Sequence, residues 1–196
     1  LAQLLLIGYV LAWIFGAGNG VLILLVLAIM LLASSWIALG TVPEQRRALL
    51  GAALLAITIG GGLTLALITQ AVLRIEPWYL PNYMIPLAGM VFANAMTAVS
   101  LAAERLYAER AHGSSWESAR LTAYQAAMIP VINSLFAVGL VSLPGMMTGQ
   151  ILSGVSPLIA ARYQIVVMCM IFAASGISTA LFLAIIRRQV SGANPD

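Results

Sequence analysis

Apolar and polar positions fall into long blocks along the chain. Apolar stretches cover Leu1–Phe15, Val21–Leu39, Ala48–Leu73, Pro81–Ala103, Arg120–Leu143 and Leu158–Ile186. A helix crosses the hydrocarbon layer with about 20 apolar residues, so the first stretch is short and the others suffice. The breaks carry turn chemistry: Gly16 to Gly20, Gly40 to Pro43, Glu76-Pro77, His112 to Ser115, and Pro144-Gly145. This pattern predicts an all-α fold: a polytopic membrane helix bundle of about six spans, forming one transmembrane domain over residues 1–196. The chain starts at Leu1, inside an apolar run, which sets the expectation of one more N-terminal span in the full-length protein.

Composition supports the membrane reading. The chain is 62% hydrophobic and only 8% charged, with a mean hydropathy of +1.04; soluble domains carry about 25% charged residues. A soluble globule, a disordered chain and a secreted disulfide scaffold are excluded. Cys169 is the only cysteine, so no internal disulfide forms, and its apolar run predicts a small buried hydrophobe.

Charge orients the spans. The net charge of +3 comes from nine Arg against six acids, with no Lys. With six spans, Arg46 and Arg47, then Arg105, Arg110 and Arg120, then Arg187 and Arg188 fall on one side. Arg74 and Arg162 fall on the other. Basic residues mark the cytoplasmic side, so both ends of this chain are expected in the cytoplasm. The arginines stand at segment ends and form no patch, so no nucleic-acid partner is expected. Trp78 and Tyr79, between the third and fourth spans, suit the lipid headgroup layer. The largest cytoplasmic connection, about residues 104–120, interleaves Glu104, Arg105, Glu109, Arg110, Glu117 and Arg120 around Gly113, Ser114, Ser115 and Trp116. It is either a solvated loop or a docking element for a cytoplasmic partner.

The residue inventory excludes several chemistries. A P-loop needs a Lys to reach phosphates. A serine hydrolase needs a His in the membrane, and the single His112 lies in the cytoplasmic connection. An aspartyl dyad needs two Asp, and Asp196 is the only one. No acid lies deep in a span, so a carboxylate proton relay is also excluded. An enzyme is not expected, and no catalytic residue is assigned.

What remains within the spans is neutral, polar and soft. Met90, Asn94 and Thr97 share one face of the fourth span. Asn133 and Ser134 follow Pro130 in the fifth. Met146, Met147, Thr148 and Gln150 follow Pro144-Gly145. A midmembrane amide costs free energy without a partner, so Asn94 and Asn133 face either another helix or a water-lined path. Thioethers are soft ligands, so Met146 and Met147 are candidates for transient metal contact. Pro144-Gly145 and Gly149 are expected to break the helix, leaving Pro144–Pro157 as an outer loop or a re-entrant element. Gly60-Gly61-Gly62, Gly89 with Ala93, and Gly145 with Gly149 would allow close helix approach.

The run from Gly139 through Leu143-Pro144-Gly145-Met146-Met147-Thr148-Gly149-Gln150 to Pro157, followed by Arg162-Tyr163-Gln164-Ile165, resembles the permease subunits of the FetAB-type iron-export ABC transporter family, which includes plant aluminium-tolerance permeases. Ile85 to Met90 with Asn94 and Met96, and Gln3 to Leu11, are similar to two further family blocks. The resemblance covers nearly the whole chain. It implies a homodimeric permease in a bacterial inner membrane, powered by a separate cytoplasmic ATP-binding subunit. ATP and Mg would bind that partner, and no cofactor would bind this subunit. The cargo implied is a metal ion, with iron efflux and oxidative-stress resistance as the role. Met90, Asn94, Asn133, Met146, Met147, Thr148 and Gln150 are then candidates for the substrate path, and residues 104–120 for coupling. Family members carry a longer charged stretch before the fifth span, so residues near 111–118 are expected to be missing here. An organic cargo such as a nucleotide sugar, or a membrane protein without transport, are the alternatives. Diphosphates favour Arg, Lys or helix N-termini, and the spans hold almost no cations.

Overall fold

The computed structural model describes residues 2–17 and 19–191 and is all-helical, apart from one isolated bridge between Val138 and Ser142. Seven helices follow in chain order: α1 (Ala2–Ala17), α2 (Gly20–Ala38), α3 (Arg46–Val72), α4 (Pro81–Ala111), α5 (Trp116–Ala137), α6 (Gly145–Leu152) and α7 (Pro157–Ser191). Among the described residues, α2, α3, α4 and the Pro157–Arg187 part of α7 are long and apolar enough to cross a membrane. The chain is a multi-pass membrane protein. At about 1.5 Å per residue, the 16 residues of α1 reach about 24 Å and the 22 of α5 about 33 Å. α5 is long enough to cross but less apolar than the four.

The helix boundaries follow capping chemistry. Asn19 caps α2, its side chain accepting from the Val21 amide at 2.9 Å. Arg46 opens α3 and closes α2 together: its guanidinium donates to the Trp36 carbonyl at 2.7 Å and stacks 3.8 Å from the Trp36 ring. Pro81 is the first residue of α4, where its missing amide hydrogen costs nothing. The fifth helix starts at Trp116, earlier than the Arg120 expected, because Ser115 accepts from the Ser118 amide and Glu117 suits the positive first turn. It ends at Ala137, short of the expected Leu143, in a turn with Gly139 at φ +81°.

α4 and α7 form the centre. α4 packs on α2, α5 and α7, and α7 packs on α3, α5 and α6. α3 is the irregular member: Thr58–Gly62 and Leu67–Val72 are π-helical, with a wider turn than the α-helix. Thr58, Thr64 and Thr69 each donate to the carbonyl four residues back, giving disturbed backbone a partner where lipid offers none. The wide turn brings Gly60 against α7. A Cβ on Gly60 would lie 2.6 Å from the Ser178 amide nitrogen and 2.9 Å from its Cα, and one on Gly61 would meet Val91 of α4 at 3.0 Å. The expected close approach is therefore made at Gly60 and Gly61. Gly89 makes ordinary contact with Met30 at 3.4 Å, whereas Gly145 and Gly149 face open space.

The helix ends sort the charges. Glu117 at the start of α5 pairs with Arg120 at 3.3 Å and with Arg187 near the end of α7 at 3.6 Å. Thr41, after α2, donates to the Ser100 carbonyl, about three turns before the end of α4, at 3.3 Å. These contacts gather one Arg-rich end. At the opposite end, Trp78 meets Tyr79 edge-on at 5.6 Å, and Tyr79 lies against Gly20.

Gly60→Ala should destabilise the bundle by about 1–3 kcal/mol, the cost of overpacking a close contact. Gly62→Ala, which meets nothing within 4 Å, should leave stability unchanged. Thermal unfolding of both variants in detergent checks the contrast.

Candidate functional site: a neutral cleft and a charged tip

At the end opposite the Arg-rich one, a cleft of about 410 Å³ opens between the start of α4, α6 and the start of α7. Asn82, Tyr83 and Pro86 of α4, Met146 and Gln150 of α6, and Tyr163 of α7 line it. No charged side chain is among the described residues that line it. The Oε1 atom of Gln150 is buried without a hydrogen-bond partner. An unpaired buried acceptor costs about 1–3 kcal/mol, a cost that a hydrogen-bond donor or a cation in the cleft would offset.

The placement of Gln150 depends on α6. Pro144 takes extended backbone angles before its first turn, and the Thr148 amide donates to the Pro144 carbonyl at 2.9 Å. Gly154, at φ +88°, closes the far end, where the Val155 amide donates to the Gln150 carbonyl. The expected break at Pro144-Gly145 holds, since residues 138–144 are not helical and Gly145 begins a new helix, whereas the break expected at Gly149 is corrected: Gly149 lies inside that helix. Eight residues span only about 12 Å, and the helix packs on α7. Met146 and Gln150 stand one turn apart and enter the same cleft. Met147, about 100° further round the helix, instead lines a second cavity with Gln164, Met168 and Cys169. Cys169 is exposed, which corrects the expected buried hydrophobe.

The remaining path candidates scatter. Met90 and Asn94 follow Pro86 at four-residue steps along α4, so they continue one stripe from the cleft towards the Arg-rich end. Both are half-buried, and the Asn94 amide nitrogen donates to the Met90 carbonyl at 2.8 Å. Asn133 is exposed on α5, and Thr148 lines neither cavity. Asn82, Tyr83, Tyr163 and Gln164 were not among the expected site residues. The signal that points to them is neutral polar and aromatic residues at span ends, next to Trp78 and Tyr79. Among the described residues, no three His, Cys, Asp or Glu side chains cluster as metal ligands.

At the other end, the expected connection at 104–120 is a helical hairpin tip. The last turns of α4 carry Glu104, Arg105, Glu109 and Arg110, and α5 begins at Trp116 and Glu117. The turn between them is tightly bonded. Arg105 pairs with Glu109 at 2.6 Å, Ser114 donates its hydroxyl to Glu109 at 2.9 Å, and Arg110 donates to the Ser114 carbonyl at 2.9 Å. Gly113 sits at φ +81°, a conformation that suits glycine. Ser115 caps α5, while the buried Trp116 Nε1 has no partner.

Comparison with known proteins gives a consistent family. The family described as "Uncharacterised protein family (UPF0014)" matches residues 1–191. The chain is 38% identical over 204 residues to a UPF0014 membrane protein of Synechocystis, covering 95% of this chain and 78% of that protein. It is 35% identical over 192 residues to the "Probable iron export permease protein FetB" of Escherichia coli, covering 90% and 73%. It is 33% identical over 192 residues to the protein "ALUMINUM SENSITIVE 3" of Arabidopsis thaliana, covering 90% and 69%. No solved structure matches.

Gly113→Val should strain the tip by about 1–2 kcal/mol, the cost of a left-handed residue with a Cβ. Open space around Gly113 means that no clash adds to it. A matching loss of thermal stability, without loss of helix content by circular dichroism, is the expected result.

Proposed function

The chain belongs to the UPF0014 family, and from that membership we propose that it is the membrane permease subunit of an ABC-type exporter of iron, driven by a separate cytoplasmic ATP-binding subunit. The observation that carries the proposal is the division of the molecule into two unlike ends. A neutral cleft with an unpartnered amide oxygen stands at one end, and a rigid charged tip at the other. Similarity to a protein named as a probable iron export permease supports the cargo.

In this reading the Arg-rich end is cytoplasmic, both ends of the chain lie inside, and the membrane is the bacterial inner membrane. The tip of α4 and α5 receives the push of the ATP-binding subunit. α4 and α7, with 31 and 35 residues, are long enough to carry it across the bilayer. Two copies of the permease enclose the path, along the Pro86, Met90 and Asn94 stripe. Ferrous iron is the substrate. At the cleft it exchanges part of its water for the Gln150 and Asn82 amide oxygens, the Tyr83 and Tyr163 phenols, and transiently the Met146 thioether. Neutral donors hold a divalent cation weakly, and weak holding favours release. A nucleotide sugar fits this cleft poorly, because no cation lines it to meet the diphosphate.

The test uses inside-out vesicles holding the full permease and its ATP-binding partner. ATP-dependent accumulation of ferrous iron above a hydrolysis-dead control is expected. Gln150→Leu should lower it about tenfold, the factor that goes with about 1.4 kcal/mol, and adding Met146→Leu should lower it further. No accumulation by an intact, ATP-hydrolysing complex would overturn iron as the cargo.

A further inference from the structure

The cavity on the other side of α6 differs in chemistry from the cleft. It measures about 280 Å³ and lies between the end of α5, Met147 of α6 and one face of α7. On α7, Gln164 and Met168 stand one turn apart, and Cys169 follows Met168. The chain has nine methionines and one cysteine; Met147, Met168 and Cys169 bring three of these ten sulfur atoms to one small cavity. Gln164 lines the same cavity, is only 6% exposed, and has no hydrogen-bond partner for its Oε1 atom.

Water satisfies such an oxygen poorly. A buried water needs two to four polar partners, and the rest of this wall is hydrocarbon and sulfur. Sulfur and amide oxygen together have a different use. Thioether and thiolate ligands select soft cations such as Cu(I), whereas hard cations prefer carboxylate and water. We propose that Met147, Met168, Cys169 and Gln164 form a binding site for a soft monovalent cation of the Cu(I) and Ag(I) class. The thiol of Cys169 binds as thiolate, so one proton leaves to solvent for each cation bound. The complex of thiolate and monovalent cation is neutral, which suits an apolar cavity within a membrane protein. Ferrous iron is less soft, so this site is chemically distinct from the cleft. It stands whether or not the chain exports iron.

The single cysteine makes the test direct. The purified full-length chain in detergent is titrated anaerobically with Cu(I) against a chromogenic Cu(I) chelator, and Cys169 is then labelled with a maleimide. One Cu(I) per chain and protection of Cys169 are expected. Met147→Leu and Met168→Leu conserve side-chain volume and should leave the elution profile unchanged. Each should weaken Cu(I) binding about tenfold, and Cys169→Ser should abolish it. Wild-type affinity in the double Met147→Leu/Met168→Leu variant would reduce the site to a lone thiol and overturn the proposal. So would stoichiometric binding that survives Cys169→Ser, or no binding by the wild-type chain. Iron accumulation, read separately on Met168→Leu vesicles, should stay at the wild-type level. Its loss with Cu(I) affinity intact would contradict a separate site.

Discussion

The contact between Gly60 of α3 and Ser178 of α7 sets the spacing of the bundle. In lipid, helices gain nothing from escaping water, so close packing and dispersion must hold them together. A side chain at Gly60 would collide with backbone, so α3 and α7 meet with almost nothing between them. The π-helical turn at Thr58–Gly62 presents that glycine, and Gly61 beside it seats Val91 and Phe92 of α4. Once α3, α4 and α7 are fixed in this way, α2 lies against α4 and α5 fills the groove between α4 and α7. The neutral cleft opens where the starts of α4 and α7 meet α6.

The two ends then take different roles from the same helices. At the Arg-rich end, Glu117 holds Arg120 beside it and Arg187 of α7. These pairs are exposed, so each adds little stability; their value is in keeping two helix ends in register. The Arg105, Glu109, Ser114 and Arg110 chain of bonds ties the last turns of α4 to the turn before α5. At the opposite end, the residues lining the cleft are neutral and the Gln150 amide oxygen has no partner. In the proposed reading, the charged tip would meet the ATP-binding subunit and the neutral cleft the cargo, with the long helix α4 joining the two.

Much of this was legible in the sequence. The glycine run at Gly60 to Gly62, the turns at Gly40 to Pro43 and at His112 to Ser115, and the gathering of arginines at one end all follow from rules of span length and charge. The misses have physical reasons. The apolar pattern starts α5 late because Glu117 and Arg120 look like loop residues, although Ser115 caps the helix before them. Gly149 looks like a breaker, but the short helix that begins at Gly145 and packs on α7 tolerates it. The π-helical turns leave no mark in an apolar pattern. Cys169 and Met147 are far apart in the sequence, and only the packing of α6 on α7 places them with Gln164.

The central claim is that cargo at the cleft and ATP turnover beyond the tip are linked through one rigid path. It is tested most directly by the ATPase rate of the reconstituted permease and ATP-binding complex, measured against ferrous iron concentration. The account predicts a saturable rise in hydrolysis with iron, and a shift to higher iron when Gln150 is replaced by Leu. A rate that stays flat across the iron range, in a complex that hydrolyses ATP, would contradict it.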